Sequence, residues 1–238
     1  MNTAIILAGG SGTRMGLETP KQFVVVRGRP VLLYTLQAFQ DHPSIDSIGV
    51  VCLDGWEVVL RDYAGQYGIT KLDWVCPGGT TSQESILAGV RQLADRCEED
   101  DIVVIHDGIR PLVDVAVISD VLAVCARHGN AVAALPYNEQ IFTVSPDDPG
   151  STTAYIPRET VRRVSTPQAY RYGVLARAYE EAFATGTGIG AASYANTMMA
   201  DLGERLFFAA GSDRNIKLTT PADLALFEAM LALGAGVG

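Results

Sequence analysis

The sequence predicts an α/β fold: a Rossmann-like, mostly parallel sheet flanked by helices, in a single domain over residues 1–238 with an arm inserted at residues 137–165. Three observations predict it. β-Branched runs recur as continuous stretches rather than alternating ones, the habit of strands covered on both faces. Helical patterns with recognisable caps separate those runs, which is the order of a parallel sheet. One long segment, between Pro136 and Thr166, fits neither pattern.

In chain order, Ala4-Ile5-Ile6-Leu7 opens the sheet, and Ile48 to Leu53, Leu72 to Cys76, Ile102 to Ile105 and Ala131 to Leu135 continue it. Pro30 suits the start of a helix whose Leu33, Leu36 and Phe39 share a face. Thr81 with Glu84 makes a capping box for a second helix, and Thr220-Pro221 with Asp223 opens the last. The segment after Pro136 carries Pro and Gly at a tip flanked by Ile141-Phe142-Thr143-Val144 and Ala154-Tyr155-Ile156, the pattern of a β-hairpin arm. Such an arm has apolar and aromatic residues but little core of its own, so a homodimer through it is expected. The Gly/Ala-rich stretch Leu233 to Gly238 is expected to fray.

Apolar residues make up 48% of the chain and charged residues 19%, and the net charge is −9. That acidic balance argues against a nucleic-acid or membrane-surface binder. Cys52, Cys76, Cys97 and Cys125 show no C-x-x-C spacing and read as thiols in a reducing compartment rather than zinc ligands or disulfides. No apolar run approaches the roughly 20 residues that span a bilayer, and no signal peptide is read at the start, so the expected location is cytoplasmic.

The stretch TAIILAGGSGTRMGLETPKQF, Thr3 to Phe23, raises the functional question. A loop after a buried parallel strand lies at the sheet's carboxyl edge, where open α/β folds bind ligands. Gly9, Gly10, Gly12 and Gly16 let backbone N–H groups approach a guest, and Arg14 and Lys21 add two cations. The guest is expected to be a phosphate. A dinucleotide fingerprint starting at Gly10 and Gly12 would need glycine where Met15 stands, and no Lys-Ser or Lys-Thr follows at P-loop spacing. A nicotinamide-dependent oxidoreductase is therefore the weaker reading, and a loop that neutralises a triphosphate from several sides the stronger.

Further stretches fall where strands should end: CPGGTTSQESI, IHDGIRP and GSDRNIKLTTPADL. With LAGGSGTRMG, PKQF and STPQAYRYG they resemble, in order and spacing from Ile5 to Leu231, the cytidylyltransferases that activate 2-C-methyl-D-erythritol 4-phosphate and the sister enzymes that activate ribitol 5-phosphate. The resemblance implies a GT-A-like nucleotidyltransferase in which a phosphate monoester attacks the α-phosphorus of CTP and pyrophosphate leaves. It implies Mg²⁺ as cofactor, with Asp107 near the ribose and the metal. It places the triphosphate on Ala8, Gly9, Gly10, Gly12 and Thr13, and catalysis on Arg14, Lys21 and Lys217. Cytosine falls to Gly78, Gly79, Thr80 and Ser85, with Gly108 beside Asp107. The acceptor phosphate falls to Arg110, and to Arg158 reaching across the dimer, with Gln140 and Ser193 also at the acceptor. An Asp ending a strand is also a common turn former, but Gly108-Ile109-Arg110 after it favours the functional role.

The chain departs from the family at Ser82, where many members have Arg, at Gln140, where a threonine is usual, and at Tyr194, which replaces an acidic residue of the methylerythritol enzymes. The glycine loop looks more like the ribitol phosphate enzymes, whereas Pro221-Ala222-Asp223-Leu224-Ala225-Leu226 looks more like the methylerythritol enzymes. The lean is narrowly to methylerythritol phosphate. A non-catalytic nucleotide-binding protein is a further alternative, weakened by the retained Arg14, Lys21 and Lys217.

Overall fold

A computed structural model describes residues 1–10, 19–190 and 194–234. The elements run β1 (Asn2–Ala8), β2 (Val25–Val26), β3 (Arg29–Pro30), α1 (Val31–Asp41), β4 (Ser47–Cys52), α2 (Glu57–Gln66), β5 (Leu72–Pro77), α3 (Ser82–Arg91) and β6 (Ile102–Asp107). They continue with α4 (Val115–His128), β7 (Asn130–Pro136), β8 (Ile141–Phe142), β9 (Tyr155–Ile156), β10 (Arg162–Arg171), α5 (Tyr172–Thr185), α6 (Ala195–Asp201), β11 (Phe208–Ala210) and α7 (Pro221–Gly234).

Among the described residues, seven strands form the main sheet in the order β11-β7-β10-β6-β1-β4-β5. All neighbours are parallel except β10, which runs antiparallel between β6 and β7. β1 sits centrally, with β4 on one side and β6 on the other, so the chain reverses its direction of winding at the gap between the ends of β1 and β6. Ligands of open α/β sheets bind at such a switch point.

The continuous apolar runs are explained by burial on both faces. Ala4, Ile6 and Ala8 of β1 pack with Leu32, Leu36 and Phe39 of α1, Leu60 of α2 and Ile118 of α4. Ile5, between them, joins Val51, Trp74, Ile86 of α3, Tyr179 of α5 and Met198 of α6 on the other face. A smaller cluster of Val26, Val31, Ile109, Leu218 and Phe227 seats α7 against the segment after β6. Pro30 lies just outside α1, at its N-cap with φ −58° and ψ 141°, so the helix starts one residue later than proline's usual place.

The arm region contrasts with this layered body. Among the described residues β8 and β9 pair only with each other, Ile141 opposite Ile156 and Phe142 opposite Tyr155. Phe142 and Tyr155 are 56% and 67% exposed, with ring centroids 6.3 Å apart. β10 begins at Arg162, inside the segment the sequence assigns to the arm, and returns to the main sheet with a register irregularity between Val164 and Gln168. Among the described residues no helix is long and apolar enough to cross a membrane.

Candidate active site

Four parallel strands bring their carboxyl ends to one edge: β1 at Ala8, β4 at Cys52, β5 at Pro77 and β6 at Asp107. Leu7 and Asp107 are register partners, and the Gly108 N–H donates to the Leu7 carbonyl at 2.8 Å, which brings the Asp-Gly turn against the end of β1. A Cβ on Gly108 would lie 2.8 Å from Leu32 Cδ1 and 3.0 Å from the Leu7 oxygen, so only glycine permits this approach.

Asp107 is the hub. Its carboxylate accepts from Arg110 Nε at 2.9 Å and from Lys217 Nζ at 3.2 Å, and its N–H donates to Thr166 Oγ1 at 3.0 Å. Arg110 Nη1 donates to the Asn215 carbonyl at 2.8 Å, and Asn215 Nδ2 donates to the Thr166 carbonyl at 2.6 Å. This ring of contacts joins the end of β6, the bulge of β10 and the segment before α7. Burial would raise the Asp107 carboxyl, but Lys217 and Arg110 outweigh it and hold the group below the usual carboxylate range, so it is ionised at neutral pH. The Lys217 ammonium also lies 5.6 Å from the Tyr194 ring centroid, within cation–π range. Lys217 is 29% exposed on its side chain and Asp107 15%, so the pair opens to solvent at the edge.

The second cluster is the turn from β5 into α3. The predicted capping box is present: Thr81 Oγ1 accepts from the Glu84 N–H at 3.1 Å, and Glu84 Oε2 accepts from the Thr81 N–H at 3.0 Å. Glu84 Oε2 also accepts from the Thr80 N–H at 2.7 Å and from the Thr80 hydroxyl; the hydroxyl contact leads the causes that lower the Glu84 carboxyl. Ser85 Oγ accepts from the Gly79 N–H at 3.0 Å and donates to the Thr81 carbonyl at 2.9 Å. Gly79 does not have a left-handed φ. Its need for glycine is space, since a Cβ there would lie 2.3 Å from Glu84 Cβ.

Gln22, passed over in the sequence reading, is buried beneath the first glycines: its Nε2 donates to the Ala8 carbonyl at 2.7 Å and to the Gly10 carbonyl at 3.0 Å. It sits in a 3-10 turn, Lys21–Phe23, whose Phe23 stacks on Trp56 at 4.6 Å. Its only sequence signal was its position beside Lys21. Thr166 and Asn215 were likewise unread as members of the Asp107 network, because polar residues that bind each other across 49 positions leave no local pattern.

The structure thus gathers Ala8, Gly9, Gly10, Lys21, Gly78, Gly79, Thr80, Ser85, Asp107, Gly108, Arg110 and Lys217 on elements ending at one edge. Gln140 and Arg158 flank the β8–β9 pair instead, both exposed, and no hydrogen bond or ion pair among the described residues ties them to Asp107. Gly12, Thr13, Arg14 and Ser193 lie outside the described residues.

The chemistry this edge supports is charge neutralisation rather than covalent catalysis. The Ser85 hydroxyl has both its proton and a lone pair engaged. Burial raises the Cys52 and Cys76 thiols to about 12 and about 11, so neither is a thiolate at neutral pH. His106 is buried, its pKa lowered to about 4 chiefly by that burial, and its Nε2 is 3.2 Å from the Arg110 carbonyl. No group of three or more His, Cys, Asp or Glu among the described residues could hold a metal by itself. A single ionised carboxylate does suit Mg²⁺, which takes one or two carboxylates together with substrate phosphates and keeps several waters. A cavity of about 490 Å³ at the opposite edge, lined by Thr3, Lys71, Trp74 and Arg96, contains none of these residues. Its cations are engaged within the chain, Arg96 with Asp73 and Lys71 with the His42 carbonyl.

Residues 2–233 match the IspD family, 2-C-methyl-D-erythritol 4-phosphate cytidylyltransferase. The chain is 57% identical to a ribitol-5-phosphate cytidylyltransferase of Lacticaseibacillus paracasei over 97% of this chain and 98% of that one. It is 38% identical to a 2-C-methyl-D-erythritol 4-phosphate cytidylyltransferase of Geotalea uraniireducens, over 96% of each. A solved 4-diphosphocytidyl-2C-methyl-D-erythritol synthase of Anaerococcus prevotii superposes with a TM-score of 0.83 at 24% identity, covering 97% of this chain and 96% of that one. At that identity the likeness speaks for the fold.

Proposed function

The chain belongs to the IspD family and is a cytidylyltransferase, and from that premise we propose that it joins CTP to ribitol 5-phosphate with release of pyrophosphate. The observation that carries the chemistry is Asp107 held ionised between Lys217 and Arg110 at the switch point of the sheet. An acceptor phosphate oxygen attacks the α-phosphorus in line, the bond from that phosphorus to the bridging oxygen breaks, and pyrophosphate departs with the electron pair. The acceptor phosphate is already largely dianionic, so no general base is needed. Positioning and charge do the work.

In this reading the amides after β1 hold the triphosphate, Arg14 and Lys21 neutralise the charge developing toward the leaving group, and Lys217 turns from Asp107 to the α-phosphate. The Gly78-Gly79-Thr80 turn presents backbone groups to the cytosine edge. Arg110 faces the acceptor phosphate with a planar fork of donors. Asp107 would hold Mg²⁺, which when bound neutralises phosphate charge. Two copies associate through the arms, whose exposed Phe142 and Tyr155 need cover, and Arg158 of one copy serves the acceptor site of the other. A cytoplasmic location belongs to the same reading.

For the acceptor, the 57% relative over nearly the whole of both chains outweighs the lean toward methylerythritol phosphate drawn from the α7 segment. Tyr194 and Gln140 depart from the methylerythritol pattern. The test is a pyrophosphate-release assay offering ribitol 5-phosphate, 2-C-methyl-D-erythritol 4-phosphate and related polyol phosphates with CTP and Mg²⁺, the product identified by mass. The expected result is a clear kcat/KM preference for ribitol 5-phosphate. Preference for the methylerythritol compound would return the acceptor to that alternative.

A further inference from the structure

We propose that Gln22 is a positioning residue for the nucleotide: its carboxamide locks the start of the glycine loop so that the Gly9 N–H faces the triphosphate. The proposal deepens the reading above and rests on it. Gln22 is 1% exposed. Its Nε2 has two hydrogens, and both are spent, one on the Ala8 carbonyl at 2.7 Å and one on the Gly10 carbonyl at 3.0 Å. The reverse orientation of the carboxamide would set its oxygen against two carbonyl oxygens, so the contacts themselves fix which end is which.

A trans peptide points its C=O and N–H in opposite directions. The Ala8 carbonyl also accepts from the Leu53 N–H at 3.1 Å, so β4 and Gln22 together orient this peptide and turn the N–H of Gly9 the other way, toward the carboxyl edge of the strands. The second bond fixes the bend two residues on, at Gly10. Glycine backbones are permissive and would otherwise sample several orientations, each presenting fewer donors to an anion. Gln22 belongs to the turn that also carries Lys21, and that turn is anchored in its own right: the Phe23 N–H donates to the Pro20 carbonyl at 2.8 Å and the Phe23 ring stacks on Trp56. One buried amide thus couples the loop's donors to the segment bearing a cation.

Two full-length variants test this. Gln22→Met keeps the volume and removes both donors; Gln22→Glu keeps the shape and sets an ionised carboxylate against two carbonyls. Mg–CTP binding is followed by tryptophan fluorescence, which Trp56 on Phe23 reports, with KM for CTP and for ribitol 5-phosphate and the thermal midpoint measured alongside. The expected result is a rise in Kd and KM for CTP of about tenfold in both variants, the scale of one lost hydrogen bond, because Ala8 keeps the Leu53 donor whereas the bend at Gly10 loses its Gln22 anchor. KM for the acceptor stays unchanged, and Gln22→Glu alone recovers affinity from about pH 8 to about pH 6, where a protonated carboxyl regains one donor. If CTP affinity stays within about twofold of wild type in both variants, with or without a lower thermal midpoint, Gln22 is a packing residue and the proposal is overturned. A wild-type protein that binds Mg–CTP but turns over no polyol phosphate would sink the acceptor reading, while the CTP titrations would still decide the role of Gln22.

Discussion

The edge proposed to hold the nucleotide and the arm proposed to complete the acceptor site are built differently. The turn into α3 and the Asp107 network are dense networks in which threonine, glutamate, serine, aspartate and asparagine side chains bond one another and nearby backbone groups. The arm that carries Gln140 and Arg158 has two strands of two residues each and leaves its aromatic pair in solvent. The difference teaches where each substrate's recognition comes from. In the proposed reading, a charged triphosphate is met by groups that one chain preorganises, whereas the acceptor's contacts are completed by a surface that one chain leaves bare.

The sharpest break in that comparison should come from the cations of the nucleotide half. Lys21→Ala and Lys217→Ala are each expected to lower kcat by about 10²–10³-fold, roughly 2.7–4 kcal/mol, as when a preorganised donor facing transition-state charge is removed. KM for CTP should change far less. Steady-state kinetics showing the opposite split, near-normal kcat with raised KM, would make either residue a ground-state clamp. Gly79→Val should abolish CTP binding by calorimetry, because its Cβ would meet Glu84 at 2.3 Å and displace the turn.

The acceptor half should break in another way, by complementation. Lys21→Ala and Arg158→Ala homodimers should both be nearly inactive. After subunit exchange, each heterodimer has one site with both wild-type residues and one with neither. An equal mixture exchanging at random should then recover about a quarter of wild-type sites, given a two-fold dimer. Activity that stays flat despite exchange demonstrated by native mass spectrometry would place Arg158 outside the partner's site.

The same contrast governs what could be read from the sequence. β1, β4, β6 and β7 announced themselves because burial on both faces demands apolar runs, the edge strand β5 through Trp74-Val75-Cys76 despite its exposed Asp73, and the caps of α3 and α7 because side chains bond backbone three residues away. β10 did not. Its sequence RRVSTPQAYR has exposed arginines at one end and polar Gln168 in its buried part, and only its long-range partners on β6 and β7 make it a strand. In the site, glycines and cations were legible by type. Gln22 and Asn215 were not, since their roles lie in bonds to groups far along the chain.

Acid should weaken the nucleotide half through a group that does no chemistry. His106 has its pKa lowered to about 4 by burial, while an unfolded histidine titrates near 6.5. The unfolded chain therefore binds the proton first, and stability present above about pH 6.5 is lost as pH falls toward about 4, by about 3 kcal/mol at most for this group. His42, lowered chiefly by burial, acts in the same direction. In urea unfolding at several pH values, His106→Gln, which keeps a donor for the Arg110 carbonyl but does not titrate, should show a shallower loss. An unchanged slope would mean that His106 takes no part.

The smallest effect compares two threonines that each bond backbone three residues away. Thr81 Oγ1 caps α3 by accepting from the Glu84 N–H, and the Thr160 hydroxyl donates to the Pro157 carbonyl at 2.7 Å within the arm segment. Losing an N-cap costs about 1 kcal/mol, so Thr81→Ala should lower the thermal midpoint by about 2–4 °C in a chain of this size. It should also raise KM for CTP modestly, because the amides of Thr80 and Thr81 are held by the same Glu84 carboxylate that the cap helps to place. Thr160→Ala removes a bond in an exposed 3-10 turn with no buried residue, where water replaces the lost partner, so neither quantity should move. Equal shifts in differential scanning calorimetry would mean that the arm unfolds with the body as one cooperative unit, and the division between a self-contained nucleotide half and a bare acceptor half would have to be redrawn.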